Sequence, residues 1–301
     1  MRVNVQRDCC LEIALSDMIR LSRHHTERIV FAVIGLAAVA TAVPIIVIVG
    51  SIFFSGAEAV SWQFLLEMPR DGMRSGGIWP AIIGTIYLVV GTGLISIPLG
   101  VSSAIYLSEY ANDSYWTRMI RLAIVNLAGI PSVVYGLFGL GLFVLFLDLG
   151  SSIVAACLTL SIMTIPVIIS TAEEALRAVP QSFRVVSVGM GATRWQTIRR
   201  VVLPQALPGI LTGVILGLNR AAGETAPILF TGAAFFLPKL PNSIFDQTMA
   251  LPYHLFVIST QVPEMPITIQ YGTATVLLAF VLTMNILAAS VRSWQRRKRE
   301  W

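Results

Sequence analysis

Long apolar runs recur along the chain, each bounded by polar or basic residues. A helix needs about 20 predominantly apolar residues to cross a bilayer. Six stretches meet that length: Ile29–Phe54, Trp79–Leu107, Leu122–Leu147, about Leu149–Ala172, about Gln205–Thr231 and Met265–Val291. Five of them contain no charged residue, and the fifth contains two, Arg220 and Glu224. The pattern predicts an all-α integral membrane protein with six transmembrane helices. A cytoplasmic segment 1–28 would precede one membrane domain over 29–293, and a basic tail 294–301 would follow it.

Composition agrees. Only 12% of the 301 residues are charged, against about 25% in a soluble domain, too few to cover a water-facing surface. The net charge of +5 does not point to nucleic acid, because the basic residues stand at the ends of the apolar runs. With the N-terminus placed in the cytoplasm, seventeen Lys and Arg fall in inside segments and three (Arg70, Arg74, Lys239) in outside loops. That bias predicts both termini inside. The polar N-terminus is not a secretory signal. The stretch Asp8–Arg28 has a weak helical pattern, compatible with a helix on the inner membrane surface or with no fixed structure. Cys9, Cys10 and Cys157 lack the spacing of a metal site. His24, His25 and His254 have no ligand partners at metal spacing, so no metal is expected.

Pro44, Pro98, Pro131, Pro166 and Pro208 fall within or near the apolar runs. Each removes a backbone donor and frees a carbonyl that lipid cannot satisfy, so these helices pack on protein, line a cavity or kink. The outside segment Gly232–Glu264 is long and rich in Phe, Leu and Tyr. A loop resting on the headgroups is the expectation, and a gate over a pathway is the alternative.

The connection between the fourth and fifth runs, about 176–205, has a clear local code. Pro180 suits a first helical position. Gly189 and Gly191 permit the backbone that ends a helix. Thr193 and Gln196 form a capping-box pair that opens a second helix, which Pro204 is expected to close. Val185, Val188, Met190 and Trp195 are interleaved here with Arg184, Arg194, Arg199 and Arg200. That mixture fits a docking surface for a soluble partner, or a loop lying on the membrane with snorkelling arginines.

In the fifth run, at roughly 100° per residue, Gly209, Gly213, Gly217, Arg220 and Glu224 share one stripe about 80° wide. The glycines allow close approach of another helix. Arg220 and Glu224 lie one turn apart and are able to pair, lowering the cost of burying each. The structural reading is an ion pair that fixes packing. The functional reading is a guanidinium fork presented to an oxyanion, with the glutamate holding it when no anion is there.

Three stretches carry a resemblance. Permeases of binding-protein-dependent ABC importers have a cytoplasmic motif, EAA-x3-G-x9-I-x-LP. This chain resembles it at Gly191, Val201, Leu203 and Pro204. Val185, Val186 and Ser187 stand at the first three positions, so the family glutamate is replaced by Val185. The run Arg220-Ala-Ala-Gly-Glu224-Thr-Ala-Pro227 resembles the signature of phosphate-importer permeases of the PstA type, and Ala128–Leu140 resembles their third-span signature. The likeness extends from about Arg28 to the C-terminus.

The resemblance implies one permease of a heterodimer with a PstC-type sister subunit in the bacterial inner membrane. Two ATPase subunits, which hold the ATP and magnesium, would dock on the cytoplasmic motif. The contact residues would be Arg184, Val185, Ser187, Gly191, Trp195, Leu203 and Pro204. A soluble phosphate-binding protein would deliver substrate from outside. Arg220 and Glu224 would lie on or near the phosphate path. No Gly-x4-Gly-Lys-Ser/Thr phosphate loop is present, so no nucleotide or other cofactor is expected on this chain. Another oxyanion importer (sulfate, molybdate, phosphonate) is the nearest alternative. A proton-driven carrier would place ionisable groups in several spans. An enzyme would need a nucleophile–base or metal constellation, which is not visible.

Overall fold

The computed structural model describes the backbone over residues 4–297, and side chains over 27–290 together with Ser293. Residues 1–3 and 298–301 lie outside the described residues, as do the side chains of Cys9, Cys10 and the terminal arginines. The chain divides into two compact units, residues 1–54 and 55–301.

The first unit is formed by α1 (Asn4–Ala57), which ends just inside the second. Its backbone is helical through Asp8–Arg28 and enters the first apolar run without a break. Pro44 lies inside it.

The second unit opens with α2 (Trp62–Leu66) and a short antiparallel pairing of Pro69–Arg70 with Ser75–Gly76. Helix α3 (Trp79–Ile105) follows, then a π-helical turn, Tyr106–Tyr110. Next come α4 (Tyr115–Ala128) and α5 (Ser132–Gly139), the latter extended by a π-helical stretch, Leu140–Phe146. Helix α6 (Ile153–Arg177) leads to the short α7 (Gln181–Gly189) and α8 (Arg194–Thr197). A π-helical turn, Ile198–Val202, joins α8 to α9 (Leu203–Gly223). The chain closes with α10 (Ala226–Thr231), α11 (Leu251–Thr260) and α12 (Ile267–Arg297). Among the described residues, five helices are long and apolar enough to cross a membrane, or six if α4 and α5 together make one broken span.

That broken span departs from the single run Leu122–Leu147. Helices α4 and α5 bend by 101° across Gly129–Pro131. Ile130 precedes a proline and is biased away from the helical region. Pro131 has no N–H to continue the ladder. The carbonyl of Leu127, whose i+4 donor would be Pro131, accepts the Ile130 amide at 3.1 Å and the Tyr135 hydroxyl at 2.7 Å instead.

Helix α6 is the hub, with α3 on one flank and α9 on another. Small residues set the spacing. A Cβ on Gly100 would lie 2.7 Å from Ile168 Cγ2, and one on Gly91 would lie 2.5 Å from Cys157 Sγ. Two apolar clusters result. One joins the first halves of α3 and α6 (Ala81, Leu88, Ala156, Leu160) to α11 (Leu251, Val257, Ile258). The other joins their second halves (Ala104, Ile168, Leu176) to α9 (Ala206, Ile210, Val214). Burying each large side chain contributes roughly 1.5–3 kcal/mol in an aqueous accounting. In a bilayer the gain comes from packing rather than from escape from water.

The segment 232–264 corrects the expectation of a loop on the headgroups. Leu251, Tyr253, His254, Val257 and Ile258 are buried. The Leu251 amide donates to Thr85 Oγ1 at 2.8 Å, and Gly84 admits the Met249 carbonyl where a side chain would collide. Residues 248–258 are a structural part of the bundle end, while Phe235, Phe236, Ile244 and Phe245 remain exposed. Burial lowers the pKa of His254 to about 4, so its ring is neutral there.

Candidate translocation site and coupling element

Helix α9 stops at Gly223. Glu224 is extended (φ −77°, ψ 135°) and ends the helix, and α10 begins at Ala226. The fifth run is therefore not one helix through Thr231, because Thr225 lies before a new first turn with Pro227 near its start. Arg220 Nε donates to Glu224 Oε1 at 3.2 Å across this break. The side chains are 36% and 16% exposed. Arg220 also lies within electrostatic range of Tyr135 on α5.

The fold brings the two signature stretches together. A Cβ on Gly136 would lie 2.8 Å from Phe230 Cδ2 and 3.0 Å from the Ala226 carbonyl. Only glycine lets α5 and α10 approach so closely. Both stretches are helix breaks, and in membrane transporters irregular backbone is tolerated where it lines a cavity or a binding site. A guanidinium has five N–H donors, and Arg220 commits one to Glu224. The remaining donors suit a tetrahedral oxyanion. Beside them, Asn219 Nδ2 donates to Asn285 Oδ1 of α12 at 2.6 Å.

The glycines of the same stripe face α6. A Cβ on Gly209 would lie 2.5 Å from Ala175 Cβ, one on Gly217 would lie 3.2 Å from Ile168 Cγ1, and one on Gly213 would collide with Thr171 Oγ1.

Between α6 and α9 the local code takes shape around a turn. Gly191 has φ +87°, a conformation that costs an L residue roughly 1–2 kcal/mol. Thr193 Oγ1 accepts the Gln196 amide at 3.2 Å, and Gln196 Oε1 accepts the Thr193 amide at 2.9 Å, which closes the capping box. Pro204 does not close α8. The π-helical turn carries the chain onward without a break, and Pro204 sits at the start of α9.

Val185, Val186, Val188, Met190 and Trp195 are exposed, Met190 to 84%. Ser187 is half-buried and its hydroxyl bonds Thr197 Oγ1 at 2.9 Å. Leu203 packs against the second apolar cluster. Arg184 differs from the expectation of a surface contact. It turns inward and grips Glu109 with two bonds, Nε to Oε2 at 3.1 Å and Nη2 to Oε1 at 2.6 Å. Arg184 also donates to the carbonyls of Leu176 and Val179. Glu109 escaped the sequence reading because it lies two residues past the end of an uncharged run. The signal available was an acid among the surplus arginines of one membrane side. Glu173 likewise holds Arg121 at 2.9 Å and Arg177 at 2.8 Å.

The model of the binding-protein-dependent transport system inner membrane component matches residues 96–300. The chain belongs to this family. It is thus a non-catalytic permease subunit of an ABC importer and a multi-pass protein of the inner membrane. Members of this family work with an ATPase and a substrate-binding protein. Among relatives, the Bacillus subtilis probable ABC transporter permease protein YqgI is 32% identical over 89% of this chain and 95% of its own length. The phosphate transport system permease protein PstA 1 of Mycobacterium tuberculosis is 31% identical over 84% of this chain and 83% of its own. The likeness to PstA-type permeases read from the sequence is borne out. Among solved structures, an inward-facing MetNI methionine ABC transporter matches with TM-score 0.57 at 17% identity. That match covers 72% of this chain and 97% of the other, and it supports the fold alone.

Proposed function

We propose that this permease carries inorganic phosphate into the cytoplasm as one half of a heterodimeric pathway, with Arg220 as the anion contact and Glu224 as its resting partner. The observation that carries the reading is the close approach of α5 and α10 at Gly136 and Ala226, each helix starting just after a break, with a partly committed guanidinium beside the second break. The likeness to permeases named for phosphate transport supports the choice of anion. The partner permease is of the PstC type, and a soluble phosphate-binding protein loads the pathway from outside. Two ATPase subunits, holding ATP and magnesium, dock on the exposed Val185–Trp195 surface. Both termini lie in the cytoplasm, as the basic bias requires. A related oxyanion such as sulfate fits the same fork geometry and is the second reading.

Labelled phosphate uptake at limiting phosphate tests this, in cells lacking the gene, with and without a wild-type copy. Sulfate uptake runs in parallel. Restored phosphate uptake without restored sulfate uptake is expected. Restored sulfate uptake alone would move the assignment to the second reading.

A further inference from the structure

The junction between the ends of α3 and α6 and the helices α7 and α8 holds a cavity of about 550 Å³. Three guanidinium groups line it, those of Arg177, Arg184 and Arg194, and the only carboxylate in its lining is Glu109. Glu109 is fully engaged by Arg184 through both oxygens. Arg184 has little left to give, since two backbone carbonyls take further N–H groups. Arg177 and Arg194 are different. Arg177 makes a single ion pair, with Glu173. Arg194 donates one bond to the Glu109 carbonyl and stacks its charge over the Tyr110 ring at 5.0 Å. Each therefore keeps most of its five donors beside a recessed polar space.

The charge balance points the same way. Arg121, Arg177, Arg184 and Arg194 surround two buried carboxylates, Glu109 and Glu173. Asp113 reaches Arg121 only at 3.6 Å and from an almost fully exposed position. The cluster carries a surplus of two positive charges, which a tetrahedral dianion would offset in full and a phosphodiester monoanion by half.

We propose that this cavity binds a phosphoryl oxyanion, clasped by Arg177 of α6 and Arg194 of α8, with the Arg184–Glu109 pair as its rigid floor. The ligand bridges a spanning helix to the connecting element and so stiffens 181–197 against the bundle. Phosphoryl oxygens reach such a pocket from two sources, free inorganic phosphate or an anionic phospholipid headgroup, and basic pockets at the ends of membrane helices suit either. The site stands whichever anion the Arg220 pathway carries.

Hydrogen exchange of the full chain in nanodiscs, with the subunits that co-purify, tests it. In phosphatidylcholine discs, millimolar phosphate is compared with chloride at equal ionic strength. In phosphatidylglycerol discs no phosphate is added. Exchange of amides in 181–197 slows roughly tenfold when the ligand stands at ten times its Kd. Slowing in the first arm identifies the free anion, and slowing in the second identifies the headgroup. The double variant Arg177→Gln/Arg194→Gln abolishes the effect. It spares the framework, because Glu173 keeps Arg121 and Glu109 keeps Arg184. Arg220→Gln leaves the effect intact, which separates this site from the pathway. No slowing in either arm, or slowing that survives the double variant or disappears with Arg220→Gln, overturns the proposal.

Discussion

Two arginine–glutamate pairs in this permease are built in opposite ways. Arg184 and Glu109 are 75 residues apart and meet through two bonds, with side chains 15% and 7% exposed. Two backbone carbonyls bring the guanidinium's engaged N–H groups to four of five. Arg220 and Glu224 are four residues apart and share one bond of 3.2 Å, and Arg220 is 36% exposed. A nearly saturated buried pair is a fastener, because parting it leaves charges with nowhere to go. A single-bonded, half-open pair can exchange its partner for an incoming anion at small cost. The same two residue types serve as rivet and as hand, and the count of satisfied donors distinguishes them.

That contrast is open to attack by substitution. Glu109→Ala should have the largest effect, since it strands a buried guanidinium at a cost of about 3–5 kcal/mol. The thermal midpoint of the detergent-solubilised protein should fall sharply, and Glu109→Gln, which keeps an acceptor, should recover part of the loss. An unchanged midpoint would mean the pair fastens nothing.

Arg220→Gln should reverse the pattern. The midpoint should stay near that of the wild type while uptake drops by about tenfold or more, as expected from losing charge-assisted bonds of about 1.5–3 kcal/mol. Normal uptake by this variant would remove Arg220 from the pathway.

Gly213→Val probes the scaffold that places Arg220. Its Cβ collides with Thr171, so α9 must shift from α6 at about 1–3 kcal/mol. Adding Thr171→Ala should return part of the stability. If the double variant is no better than the single, the close approach lies elsewhere.

The smallest effect belongs to Thr193→Ala. Loss of the cap costs about 1 kcal/mol locally. Exchange of the Arg194–Thr197 amides should quicken while the global midpoint barely moves, because the Arg184–Glu109 fastener remains. A large global drop would show that the cap, and not the ion pair, holds the connecting element.

Much of this was legible in one dimension. Apolar length located the membrane runs, because lipid demands internally satisfied helices. Thr193 and Gln196 announced their cap because both bonds of a capping box lie within four residues. Gly209, Gly213 and Gly217 announced a close-packed face, since their spacing alone sets which side they share. Other features were not legible. Ile130-Pro131 signals a break but not a 101° turn, whose size depends on what α5 packs against. The apolar stretch Leu251–Ile258 reads alike whether it rests on headgroups or fills the bundle end. The deciding contact is Thr85, 166 residues away.

The sequence by itself determined the apolar runs, the capping box, the glycine face and the family. Each of these depends on residues within a turn or two of one another, or on a pattern carried residue by residue. Only the tertiary structure decided that Arg184 faces inward, that Glu109 and Glu173 anchor the arginine cluster, and that the two signature stretches meet where Gly136 approaches Ala226. An arginine's partner is chosen by which carboxylate comes within about 3 Å after packing. Helix packing fixes that distance between residues far apart in the chain, and no local pattern encodes it.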